Sequence, residues 1–351
     1  MRNRIIKINL IIAILLALNF IFLGCYNQNS DNNSLKEDSS GIEYKEEVFN
    51  KSIENLNAWI AYWSLDVDDE IKYLGSQLSE LSYFEAYFDV NGNIHMPEEL
   101  LDYYNKSRRD NYTNYISIVN DKININEKIK QKDTEILKEK LKDELSRSSH
   151  IDEIINLALS NNFDGIEIDY EQIKKDIPLW QDYIMFIDEL YNKANENNLK
   201  LRIILEPSIP IEELEFIEGP VYVIMCYNLH TASSAPGEKA NVNFINDLMN
   251  KMEKIPGEKN YAIATGGFDW EIGGKGKAIS EKDAKELLKE YDTERRRDQN
   301  SKCVVFNYTD ENNIKHEVWY ADNVTLNVWM EAIHKRGYSI SIWKLGGNLF
   351  E

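Results

Sequence analysis

The stretch Asp164-Gly165-Ile166-Glu167-Ile168-Asp169-Tyr170-Glu171, DGIEIDYE, decides how this chain is read. Glu167, Asp169 and Glu171 recur at every second position, with Ile166, Ile168 and Tyr170 between them. Successive side chains of a β-strand point to opposite faces, so three carboxyl groups crowd one face while Ile, Ile and Tyr pack against the other. Like charges side by side are destabilising unless they share protons or meet a partner. One reading is an exposed strand with a wet acidic face. The other is a buried ladder of acids, and the surrounding sequence has to decide.

From Asn55 onward, apolar strand-like runs alternate with helical segments. The runs are LNAWIAYWS, LSYFEAYFDV, NYISIVN, FDGIEIDYE, LKLRIILEP, VYVIMCYNLH, YAIATGGFDW and YSISIWKLG. Between them, EELLDYYNKS, DEIINLALSNN, QDYIMFIDELYNKANEN and NFINDLMNKMEK carry apolar residues at helical spacing. Eight runs, most followed by a helical pattern, fit a (β/α)8 TIM barrel. Asp292 to Asp322 breaks the alternation; it reads as a short β-hairpin turning at DENN, inserted after the seventh strand. A doubly wound sheet would be expected to carry a glycine-rich phosphate loop after its first strand, and the chain has none. In a barrel, residues of one parity face the interior, and those at the C-terminal mouth form the active site. Glu171 closes its strand and is expected at that mouth. The acidic ladder then rises from the centre of the barrel.

The 351 residues include 60 acidic and 40 basic side chains, a formal net charge of −20. That balance argues against nucleic acid or an anionic membrane surface as a partner, and is compatible with a neutral ligand. Arg2, Arg4 and Lys7 precede the apolar run INLIIAILLALNFIFLG, the pattern of a secretory signal over residues 1–24. The Gly24-Cys25 ending resembles the lipobox of bacterial lipoproteins, with Phe22 where that motif usually carries Leu; the resemblance implies lipidation of Cys25. An uncleaved N-terminal helix is the alternative. Either way the remainder is expected outside the cytoplasm, with residues 25–52 a flexible polar tether and residues 53–351 the barrel. Cys226 lies in an apolar strand and reads as a buried free thiol. No CxxC or His pair suggests a metal, His230 and His316 read as local hydrogen-bonders, no cofactor is expected, and the chain is expected to be a monomer.

DGIEIDYE resembles the fourth-strand signature of glycoside hydrolase family 18, the chitinase-like enzymes, written D-G-x-D-x-D-x-E. Asp164, Gly165, Asp169 and Glu171 match, and Glu167 stands where many members carry Asp or Asn. Further along, MCYN (Met225–Asn228) is similar to the family's M-x-Y-D. LHTASSAPG, YAIATGGFDWE, VFNYTDENNIKHEVWYAD and SISIWKLG resemble the following segments of bacterial cell-wall and spore-germination members. The resemblance spans roughly Asn55 to Gly346. Asn228 departs from it, standing where the family has an acid.

The resemblance implies a retaining hydrolase of β-1,4 bonds next to N-acetylglucosamine, in peptidoglycan or chitin-like glycans. The sugar's own acetamido oxygen serves as the nucleophile. Glu171 is then the general acid and base, Asp169 holds the acetamido N–H, and the Tyr227 hydroxyl steadies the acetamido oxygen. Trp343 forms a floor under the sugar ring. Glu167 is expected to share a proton with Asp169 and so to complete the catalytic set. Met225, Asn228, Tyr62, Trp270 and Trp319 are the remaining candidate substrate contacts. A second reading is a carbohydrate-binding lipoprotein, weak or inactive as an enzyme, on the same barrel.

Overall fold

The computed structural model describes residues 48–126 and 128–350. The expected leader, Cys25 and the tether through residue 47 lie outside the described residues.

Strand β1 (Leu56–Ala61) is buried at all six positions. A strand covered on both faces needs a packed layer on each side, and a closed parallel barrel wrapped in helices supplies both. Next come β2 (Leu78–Phe88), β3 (Ile94–His95), β4 (Thr113–Ile123), β5 (Ile129–Lys130), β6 (Gly165–Asp169), β7 (Lys200–Leu205), β8 (Val221–Met225) and β9 (Lys259–Ala264). The chain continues through β10 (Gly267–Glu271), β11 (Gly276–Ile279), β12 (Arg295–Arg297), β13 (Val304–Thr309), β14 (Lys315–Tyr320) and β15 (Ser339–Trp343). Strands β1, β2, β4, β6, β7, β8, β9 and β15 pair in parallel around a full circle, which the β15–β1 and β2–β4 pairings close. The expected TIM barrel is therefore present, with its eight strands in chain order.

Two apolar layers follow from strand parity. Trp59, Phe84, Val119, Ile204, Val223, Met225, Ala262 and Ala264 fill the inside. Ile60, Ile116, Ile166, Ile168, Ile203, Ile224 and Ile263 pack outward under helices such as Glu144–Ser160 and Ile177–Glu196. Local chemistry starts those two helices: Asp143 accepts from the Ser146 N–H, and Asp176 accepts from Leu179 N–H, as N-caps do. The second of these helices stops at Asn197-Asn198, with Asn198 at a φ of 58°, a conformation that Asn tolerates.

The insertion is larger than the sequence reading. The hairpin β13–β14 is present, turning at Asp310–Asn313, but it forms the centre of a five-stranded antiparallel sheet ordered β11-β10-β14-β13-β12. The run YAIATGGFDW divides between two sheets: its first part ends barrel strand β9, and GFDW opens β10 of the insertion. Gly266, at a φ of 60°, makes the turn between them. Gly267 passes so close to its neighbour strand that a Cβ would lie 1.9 Å from the Trp319 carbonyl oxygen. The helix Glu281–Glu290, with a Ser280–Asp283 capping box, covers one face of this sheet.

Candidate active site

The acidic ladder divides into a floor and a mouth. Glu167 forms the floor and is fully buried. In register it stands beside Ser117 of β4 and Arg202 of β7. Its carboxylate accepts from Trp59 Nε1, from Ser117 Oγ at 2.6 Å, from Ser82 Oγ at 3.1 Å and from Arg202 Nε at 3.0 Å. Arg202 continues to Glu80 at 2.6 Å and to Ser341 Oγ at 2.8 Å. Every contact to Glu167 is a donor, so a proton shared with Asp169 has no place in this arrangement. That corrects the expected Glu167–Asp169 proton pair and moves Glu167 out of the reacting set. Arg202 is the partner the ladder required, and it sits one strand away at the same height.

Asp169, one step up, is 5% exposed, and its Oδ1 has no hydrogen-bond partner. Burial pushes its carboxyl up to about 7; Lys132 opposes that shift, while the charges of Glu167, Glu206 and Asp121 add to it. Asp169 is therefore poised near neutrality to exchange its proton for a donor from a ligand. Beside this conflict between Glu167 and Asp169, a second one lies between Glu85 on β2 and Asp121 on β4. Burial drives Glu85 well up, with Asp121 adding to the shift, and burial raises Asp121 as well.

Glu171 follows β6 at the mouth and is 7% exposed. The Asn120 amide brackets its peptide group, accepting from Glu171 N–H at 2.9 Å and donating to Glu171 C=O at 3.1 Å. The next residue, Gln172, turns at a φ of 64° with its N–H on Glu206 at 2.7 Å. The Glu171 carboxylate is in contact with the Lys132 ammonium. Tyr227, just past β8, is buried among the inner residues. Burial raises its phenol well above the usual range, and the charge of Asp169 acts in the same direction. The structure thus brings Asp169, Tyr227 and Glu171 to one end of the barrel.

The aromatic candidates separate. Trp343 ends β15 half-buried, edge-on to Trp59 at 5.7 Å and to Phe84 at 4.7 Å. Met225 is buried beside it in the inner layer. Tyr62 is at the mouth, its phenol pushed up to about 12 by burial and by Glu85. Asn228 is exposed at a φ of 72°. Trp270 is a correction: it is 1% exposed and donates to Thr231 C=O at 3.1 Å, so it anchors the loop after β8 and has no face for a sugar. Trp319 is half-buried in the insertion sheet, its Nε1 donating to Glu317 at 2.7 Å and its ring under Arg296.

Residues the sequence reading left unassigned complete the site. Trp63 is 43% exposed and packs edge-on against Tyr62 and Phe84, a free aromatic face at the mouth. Lys132, Asn120, Glu85 and Asp121 join through contacts between strands. Only Arg202 had a local signal, a cation at inward parity in the middle of the apolar run LKLRIILEP.

Known proteins agree with this architecture. No family model matches the chain. It is 24% identical over 232 residues to the putative sporulation-specific glycosylase YdhD of Bacillus subtilis (strain 168), over 60% of this chain and 54% of that protein, so the match spans about half of that relative. Among solved structures, the spore cortex-lytic enzyme SleL of Bacillus cereus superposes with a TM-score of 0.70 at 19% identity, over 85% of this chain and 72% of that one. A mutant class V chitinase from Nicotiana tobaccum, crystallised in complex with NAG4, superposes with a TM-score of 0.64 at 12% identity, over 84% and 95%. The resemblance to chitinase-like proteins of the bacterial spore and cell-wall branch, read from DGIEIDYE and MCYN, is borne out by these relatives.

Proposed function

We propose that the chain is a glycoside hydrolase that cleaves β-1,4 bonds next to N-acetylglucosamine with retention, through substrate assistance. The observation that carries this reading is the unpartnered, buried Oδ1 of Asp169, directly below Glu171 in strand order and close to Tyr227. A buried polar atom without a partner is costly unless a ligand completes it, and an acetamido N–H is a donor of the right kind. As the C1–O bond breaks, Glu171 gives its proton to the departing oxygen. The acetamido oxygen bonds C1, and the positive charge that develops is offset by ionised Asp169. Water then attacks C1 as the C1–O bond to the acetamido oxygen breaks, restoring the acetamido group, and the water's proton passes to Glu171. Trp343 and Trp63 offer apolar faces for sugar rings.

The substrate is proposed to be peptidoglycan or a chitin-like glycan. The name of YdhD and the NAG4 complex of the tobacco chitinase support that class. The protein is proposed to work outside the cytoplasm, held at the membrane through lipidated Cys25, a placement that rests on the sequence of residues 1–25; Cys25→Ser is expected to release the protein from the membrane fraction. Digestion of purified peptidoglycan and of chitin oligomers tests the activity: new reducing ends are expected from the native protein and at least a hundredfold fewer from Glu171→Gln, in line with roughly 10²–10⁴ for loss of an acid–base group. The Lys132–Glu171 contact supports a second reading, a glycan-binding protein with a blocked acid. Tight glycan binding without new reducing ends would select it.

A further inference from the structure

Lys132 stands against Glu171 without a part in the proposed hydrolysis. Lys132 follows the short strand β5 with its backbone at a φ of 53°, and its N–H donates to Asp121 Oδ1 at 2.8 Å. Its ammonium, on a side chain only 19% exposed, rests on Glu171 Oε1. The groups around it come from several strands: Glu85 from β2, Asp121 from β4, Asp169 and Glu171 from β6 and its extension, and Glu206 beyond β7. Tyr62 and Tyr227 are the neighbouring phenols. Among the described residues, Lys132 is the cation that lowers the proton affinity of Glu85, Asp121 and Asp169 alike.

A general acid must hold a proton before it can give one, and an ammonium group in contact with a carboxyl favours the ionised form. The contact also occupies Oε1, one of the two carboxylate oxygens. A lysine can leave without any backbone change, because its charge rides on a flexible four-carbon stem. A second acceptor is at hand in Asp121, which already holds the Lys132 N–H.

We propose that Lys132 is a positioning residue that holds Glu171 ionised in the free protein and is displaced from it by the bound glycan. On binding, the ammonium turns to Asp121 with its charge intact, and Glu171 takes a proton from solvent. That proton is the one later given to the leaving group. The inference rests on the hydrolase reading and adds a binding-linked proton to it.

The test uses a sulfur-linked tetramer of N-acetylglucosamine, which binds without being cleaved. Its binding is followed by calorimetry in two buffers of different ionisation enthalpy, for the native protein, Lys132→Met and Lys132→Arg. Net proton uptake, counted after the fraction that Asp169 releases, is expected in the native protein and in Lys132→Arg, and at least twofold less in Lys132→Met. Hydrolysis of a chitin oligomer supplies the second readout. In Lys132→Met the alkaline limb of kcat/KM, which reports the free protein, is expected to move up by about one pH unit, the scale of a close charge partner. The alkaline limb of kcat, which reports the complex, is expected to stay in place. Unchanged proton uptake, or limbs of kcat and kcat/KM that move together, overturns the displacement while leaving the hydrolase reading intact. A native protein that neither binds the tetramer nor releases reducing ends overturns both.

Discussion

At the scale of single residues, the most informative group is Asp169. Its folded carboxyl, raised by burial to about 7, lies above the roughly 4 of an unfolded Asp. Between those values the folded state keeps a proton that the unfolded chain has lost. The stability contributed is complete below about pH 4 and is lost as pH rises through 7. Asp169→Asn removes that dependence. It is expected to lower the hydrolytic rate and yet to gain stability relative to the native protein, by up to about 4 kcal/mol near pH 8 and less near pH 5. Denaturant unfolding at the two pH values checks this; a mutant equally affected at both would contradict it. Arg202 makes the opposite case. It is buried between Glu167 and Glu80, so Arg202→Met leaves anions unpaired in the core and is expected to cost about 3–5 kcal/mol. Adding Glu167→Gln should recover part of the loss in thermal unfolding, because one of the stranded charges is then gone.

At the scale of elements, the barrel strands were legible because each carries two apolar or buried faces with a helix pattern behind it. The fourth-strand acids, the MCYN strand end and the Trp343 strand end all lie where parity places them. The insertion was read too short because YAIATGGFDW is apolar throughout; the change of sheet occurs at Gly266-Gly267, and a glycine pair does not by itself distinguish a bulge from an exit. Trp270 was misread for a related reason. Its neighbours in sequence belong to an exposed hairpin sheet, while the partner that buries it, Thr231, comes from the loop after β8. Trp270→Ala is accordingly expected to destabilise by about 3–5 kcal/mol and to speed amide exchange through residues 229–241, with the barrel strands still protected. Exchange that quickens uniformly over the barrel would argue against this local anchoring. Gly276 belongs to the same contact, since a Cβ there would sit 2.7 Å from the Trp270 ring.

At the scale of the whole molecule, a closed barrel turns an alternation of acids into a vertical axis: a salt-bridged floor at Glu167, a half-protonated carboxyl at Asp169 and an acid at the rim. The contacts that set those states reach Arg202, Lys132, Asn120, Glu85 and Asp121, on strands or loops tens of residues away, and apart from Arg202 no local pattern announces them. The net charge of −20 suits a neutral glycan, and binding of a chitin oligomer is expected to change less than about twofold between 50 and 200 mM salt, where a phosphate-binding protein would lose orders of magnitude. In the proposed hydrolysis an aminosugar carries out its own displacement, with Glu171 giving the proton to the leaving group and taking one back from water. Proton NMR of a chitin oligomer digest, followed from the first minutes, tests it most directly. The first-formed reducing sugar is expected to be the β-anomer, at least a hundredfold less of it from Glu171→Gln; an α-anomer appearing first, or a Glu171→Gln digest that runs at the native rate, would overturn the mechanism.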